Sequence, residues 1–283
     1  MAEQYIETIP ELRKESAPHH KVEVMDWTAL TRVPTAKNFG EFMIIAGFAI
    51  FMIVGAEILI SYLKVPSYIL PLPSAIVGAL ISGMPQMLPH IATTLEELLV
   101  GYAVGSVIGM VMAGVITQFP LVEKIITPYV ILLVTTPMLA LVPLLVLRFG
   151  FGLEPRIIAV ALAVGPMVMI NSATGFRRTD LGKIALARSY GATTLQIFRT
   201  IRFPIALPMI IVGLMVGGIF GLLTAIGSEM LGGQFGLGTR LAYYSSLARM
   251  ENFFATILIV ALIGILMYVI FFFIGKRWAN WEA

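Results

Sequence analysis

Few side chains in this chain could do chemistry, and most of them sit in apolar surroundings. Glu57, Thr135, Thr136, Asn171 and Glu229 lie within or at the ends of long apolar runs. Polar groups are expensive there, so each is a candidate for lining a pathway or holding a gate. Ser and Thr also bond back to their own helix, which is the plainer reading of Thr135 and Thr136. Glu57 reads as an interface-level carboxylate that reaches headgroups or Lys64. The adjacent carboxylates Glu96 and Glu97 point about 100° apart on a helix and cannot act as an acid–base pair. The glycines of GGQFGLG, Gly232 to Gly238, lack the Lys-Ser/Thr ending of a phosphate-binding loop and read as a flexible outer turn. His19 and His20 lie in a polar tail, and His90 stands apart from them. No cysteine is present, so disulfides and thiolate metal sites are excluded. Nothing at readable spacing forms a nucleophile with its base or a metal-ligand set, so the chain reads as no enzyme and as carrying no cofactor.

Composition sets the solvent in which these groups work. Of 283 residues, 58% are hydrophobic and 12% charged, against about 25% charged in soluble domains. One water-soluble core cannot hide that much apolar surface, so lipid must cover it. The net charge of +3 gives no reason to expect nucleic acid. Six runs are long enough to cross a bilayer: Phe42 to Leu63, Leu98 to Val122, Ile125 to Leu147, Ile157 to Phe176, Phe203 to Ser228 and Asn252 to Gly275. They are too long and continuous for barrel strands. The third is interrupted by Pro128, Pro137 and Pro143. Glycine ladders at Gly101, Gly105, Gly109 and at Gly213, Gly217, Gly221 let helices pack closely. The expected fold is therefore all-α, with a tail over residues 1–41, a membrane domain over 42–276 and a short tail over 277–283. No secretory signal precedes the first span.

Orientation follows from the cations. Fourteen of the 19 Lys and Arg fall on the side holding both termini. Among them are Lys124 and the group Arg177, Arg178, Lys183, Arg188, Arg199 and Arg202. That side is expected to be cytoplasmic, in a bacterial inner membrane. On the outer side, Lys64 to about His90 reads as a proline-ordered loop, with a short helix from Ser74, its amino-terminal cap, to Ser82. Arg148, Arg156, Arg240 and Arg249 are expected on the outer face, docking a partner or drawing in an anion.

The segment Asp180 to Pro208 is different from the rest. It is basic, helix-patterned and of soluble character, yet lies between two apolar runs. Leu181, Ile184, Leu195, Phe198 and Ile201 give two amphipathic helices broken near Gly191. Such a handle on the water side suits a cytoplasmic partner that moves the membrane part. An amphipathic helix lying on anionic lipid is the alternative.

The same segment resembles the permease subunits of ATP-binding-cassette importers. Their signature reads Glu-Ala-Ala, three residues, Gly, nine residues, Ile, one residue, Leu-Pro. Ala185, Leu186 and Ala187 stand at its first three positions, Gly191 at its glycine, Ile201 at its isoleucine and Phe203-Pro204 at its end. The departures are Ala185 for glutamate, Leu186 for alanine and Phe203 for leucine. ILPLPSAIV, Ile69 to Val77, and SEMLGGQFGLG, Ser228 to Gly238, are similar to segments of the nitrate, sulfonate and taurine permeases, a group that includes riboflavin and pyrimidine-precursor importers. The resemblance spans Phe42 to Lys276. It implies a six-helix type I importer subunit, paired with a second copy, on two ATPase subunits that bind ATP and Mg, and fed by an extracytoplasmic binding protein. It implies that Ala185, Leu186, Ala187, Arg188, Tyr190, Gly191 and Ala192, within a coupling segment of about 178–203, touch the ATPase. Glu229 matches a family glutamate. The implied substrate is a small anion of the nitrate, sulfonate or taurine type, or else a vitamin or aromatic precursor. An ion-driven secondary transporter is the rival, weakened by five spans without a charge in their core and by the lack of an evident repeat.

Overall fold

A computed structural model describes residues 39–278, so the expectations for most of the amino-terminal tail, for His19 and His20 and for 279–283 lie outside the described residues. These residues are helical throughout, with short connections: α1 Phe39–Tyr62, α2 Pro73–Gln118, α3 Pro120–Thr135, α4 Met138–Phe149, α5 Leu153–Arg177, α6 Leu181–Ser189, α7 Thr194–Ile197, a π-helical turn Phe198–Arg202, α8 Phe203–Gly232, α9 Leu237–Ser246 and α10 Met250–Trp278. They fall into two units, one described over 39–50 and the other over 51–278. The first is the opening half of α1, with almost every side chain exposed.

In the second unit, α5 is the central element. It packs against α2 on one side and α8 on the other, and the glycine ladders are the reason it can. A Cβ at Gly101 would lie 2.7 Å from the Ile157 carbonyl oxygen, and one at Gly105 would lie 3.0 Å from Val164 Cβ. Across the helix, a Cβ at Gly213 would lie 2.8 Å from Asn171 Cβ, and one at Gly221 would lie 2.9 Å from Val164 Cγ2. The backbones therefore meet where only hydrogen fits. Leu98, Val160, Val164, Val168, Leu222 and Leu237 form one buried cluster; Ala113, Ile116, Met169, Phe176, Ala206 and Ile210 form another.

Among the described residues five helices are long and apolar enough to cross a membrane, and α3 with α4, a pair bent by 97°, is a broken span or a re-entrant loop that brings the number to six if the pair is one span. The expected third span is thus not one straight helix. Pro137 has no N–H for the Leu133 carbonyl, and its ring blocks continuation of α3. The expected outer loop before the second span is also corrected. α2 is one helix of 46 residues that runs through Pro85 and Pro89. At 1.5 Å per residue it is about 69 Å long, more than twice the ~30 Å hydrocarbon layer. Ser74 is not its cap: Leu72 is, with Pro73 at the first helical position. Ser74 instead donates its N–H and hydroxyl to the Glu57 carboxylate, at 3.0 and 2.6 Å. Glu57 therefore binds the start of α2 rather than Lys64.

Candidate functional site

At the end where α6 emerges, Asp180 opens the helix and accepts from Gly182 N–H at 2.7 Å. Thr193 and Gln196 form a capping box that starts α7. Between them Gly191 takes φ +79°, with nothing within 4 Å of where a Cβ would sit. The glycine is needed for its left-handed backbone, not for room. Ile184 and Ile197 anchor the insert, being 6% and 3% exposed. The Phe176 ring packs on Phe198 at 4.9 Å. The amphipathic pattern differs from expectation at Leu181 and Leu195, which face outward with Leu186 and Tyr190; the last two are 60% and 83% exposed. Ala185, Arg188 and Gly191 are exposed beside them, and Ala187 and Ala192 are half-buried. The insert so presents apolar side chains to solvent from a base buried at Ile184 and Ile197. Glu123, after the second crossing, pairs with Arg177 at 2.6 Å, which puts both connections at this end.

Midway along the unit, the break between α3 and α4 opens a cleft of about 300 Å³. Thr135, Thr136, Leu139, Pro166, Phe220 and Thr224 are among its walls. Both candidate threonines line it, but their hydroxyls bond back, Thr135 to Ile131 O at 2.9 Å and Thr136 to Leu132 O at 2.7 Å. Asn171 does not reach it. Its amide donates to Met167 O at 2.8 Å, and its Cβ packs against Gly213.

The opposite end holds a buried polar knot that sequence reasoning largely missed. Glu97 and Glu229 are 0% and 1% exposed. Arg156 Nη1 pairs with Glu97 and also donates to Phe235 O at 3.2 Å. Glu229 accepts from the Thr94 hydroxyl and from Gly238 N–H, both at 2.6 Å. The Thr94 hydroxyl in turn accepts from Leu237 N–H at 2.9 Å. His90 Nδ1 lies 3.0 Å from Gly236 N and Nε2 lies 2.8 Å from Arg240 Nε. A neutral ring has one acceptor, so it takes one of these hydrogens at a time. The glycine cluster is therefore no flexible turn. Gly236, at φ +123°, and Gly238 let the backbone close on Glu229, where a Cβ at 236 would strike the carboxylate. Arg156 is likewise not an outer docking residue but buried, and Arg240 is half-buried. Glu96 is exposed while Glu97 is buried, as their divergence on the helix requires. Of these residues the sequence marks only Glu229 as a pathway or gate candidate. The others sit 59 to 150 positions from their partners, and only helix packing brings them together.

Among the described residues no group of three or more His, Asp or Glu could hold a metal. Residues 105–280 match the family model described as the binding-protein-dependent transport system inner membrane component. The chain belongs to this family. As a member of it, the protein is a multi-pass ABC transporter permease, a transport component and not an enzyme. It is 27% identical over 222 residues to the riboflavin transport system permease protein of Chloroflexus aurantiacus, covering 77% of this chain and 82% of that one. It is 26% identical over 194 residues to the taurine transport system permease protein of Escherichia coli, covering 69% and 70%. An inward-facing structure of the MetNI methionine ABC transporter superposes with a TM-score of 0.62 at 18% identity, covering 68% of this chain and 97% of that one. The all-helical architecture is that of type I importer permeases. Membership in the family removes the secondary-transporter reading.

Proposed function

We propose that this permease works as a pair of identical subunits on two cytoplasmic ATPase subunits, passing a small solute delivered by an extracytoplasmic binding protein. ATP and Mg are bound by the ATPase, and both termini of the permease are cytoplasmic. One observation carries the reading: Leu186 and Tyr190 stand exposed on an insert whose Ile184 and Ile197 are locked into the membrane part. An apolar, exposed and rigid surface beside cations is what a docking partner needs and what a solvated helix avoids. Ala185, Leu186, Ala187, Arg188, Tyr190, Gly191 and Ala192 form that surface. Closure of the ATPase pair on ATP draws the two inserts together, and the gain in affinity for one arrangement shifts the membrane helices. The knot around Glu229 holds α2, α5, α8 and the loop before α9 as one body at the outer end. The cleft at the α3–α4 break lies on the solute path. Of the two solute classes, small anion or vitamin-like precursor, its uncharged walls favour the second. Replacing Leu186 and Tyr190 together with Ala is expected to cut ATPase co-purification about tenfold or more with normal membrane insertion; unchanged capture would contradict the docking role.

A further inference from the structure

The walls of the α3–α4 cleft describe what can rest there. Every lining residue is uncharged, and Thr135, Thr136 and Thr224 are the only polar side chains among them. The hydroxyl hydrogens of Thr135 and Thr136 are spent on their own helix. The backbone at the break is richer. Leu133 and Pro137 both line the cleft, and a proline four positions on has no N–H to give the Leu133 carbonyl. Beside it the first turn of α4 opens at Pro137 with no side-chain cap for its amides. Acceptors and donors therefore lie together, without a charge. Irregular backbone at membrane depth is tolerated where it lines a filled or wet cavity, because each unmet group costs several kcal/mol otherwise. An anion could use the α4 amides, but the α3 carbonyls beside them oppose it and no cation answers it. Stripping a charge of water without a partner costs far more than burying an amide that finds its bonds. The volume of about 300 Å³ is about twice that of the apolar cavity that holds benzene.

Resting on the permease reading above, the geometry points to an uncharged, one- or two-ring organic solute with an amide-like donor–acceptor edge as the substrate class, and to this cleft as its waypoint, against nitrate or a sulfonate. The chain has no cysteine, so Thr136→Cys gives a single thiol in the cleft wall. The full chain is studied in proteoliposomes, with and without its ATPase. Its labelling rates by uncharged methyl methanethiosulfonate and by anionic sulfonatoethyl methanethiosulfonate are normalised to Ser67→Cys on the exposed first outer connection. The normalised rate is expected to favour the uncharged reagent about tenfold or more; a ratio near one, or the reverse order, overturns the proposal. Millimolar thymine, an uncharged ring with imide N–H and carbonyl groups side by side, is expected to slow the labelling and millimolar methanesulfonate to leave it unchanged; slowing by methanesulfonate, or by neither, overturns it too. Leu223→Cys, on the facing wall, repeats the test if Thr136→Cys fails to insert. A chain that binds no ATPase would sink the permease reading without altering these ratios.

Discussion

Arg156 answers a carboxylate that water cannot reach. Removing one partner of such a buried pair leaves the other charge without compensation and costs about 3–5 kcal/mol. Arg156→Ala should therefore lower the thermal unfolding midpoint in detergent sharply, and Glu97→Ala added to it should recover part of the loss. An additive double variant would mean that the pair does not act as one unit. Gly191 makes a different case. With φ at +79° and open space around it, a Val there meets only backbone strain, about 1–2 kcal/mol. The expected result of Gly191→Val is a permease that inserts and binds its ATPase, yet takes up solute about tenfold more slowly while ATP hydrolysis continues. Gly191→Asn, which tolerates the left-handed region, should retain most uptake. If Val behaved as Asn does, the turn would have no part in coupling. Gly191 was legible in the sequence because its reason is local. The knot was not, because nothing in a linear pattern tells that Thr94 will meet Glu229, 135 positions on.

At the scale of elements, α5 is held between two glycine ladders. Leu at Gly105 would have to enter the Ala161 backbone, and overpacking of that kind costs about 1–3 kcal/mol or more. Gly105→Leu should broaden the size-exclusion profile and lower the unfolding midpoint, while Gly78→Leu, which faces open space, should do neither. Equal effects would show that the ladder is not a packing face. The ladders were readable from four-residue spacing alone. The length of α2 was not: Lys64 to about His90 reads as a proline-ordered loop with a short helix to Ser82, whereas one helix runs on through Pro85 and Pro89. The break at Pro137 was half legible. The prolines marked an interruption, but not the bend of 97° that makes a cleft of it.

For the whole molecule, apolar run length was enough to give an all-helical membrane fold, since a bilayer imposes about 20 residues per crossing whatever the sequence. The cations that set the expected side, Lys124, Arg177 and Arg188 among them, gather at the end from which the insert emerges, where the Glu123–Arg177 pair joins two connections. The faces of the insert were not legible, because Leu181 and Leu195 stand exposed against the usual rule, the arrangement that the proposed grip on a second protein asks for. That exception is the central claim, and position 190 tests it most directly. A photo-crosslinker placed at Tyr190 in the assembled transporter should join the permease to its nucleotide-hydrolysing partner, with reagents reaching that position only from the cytoplasmic side. Labelling from the outer side, or a crosslink to lipid alone, would contradict the account.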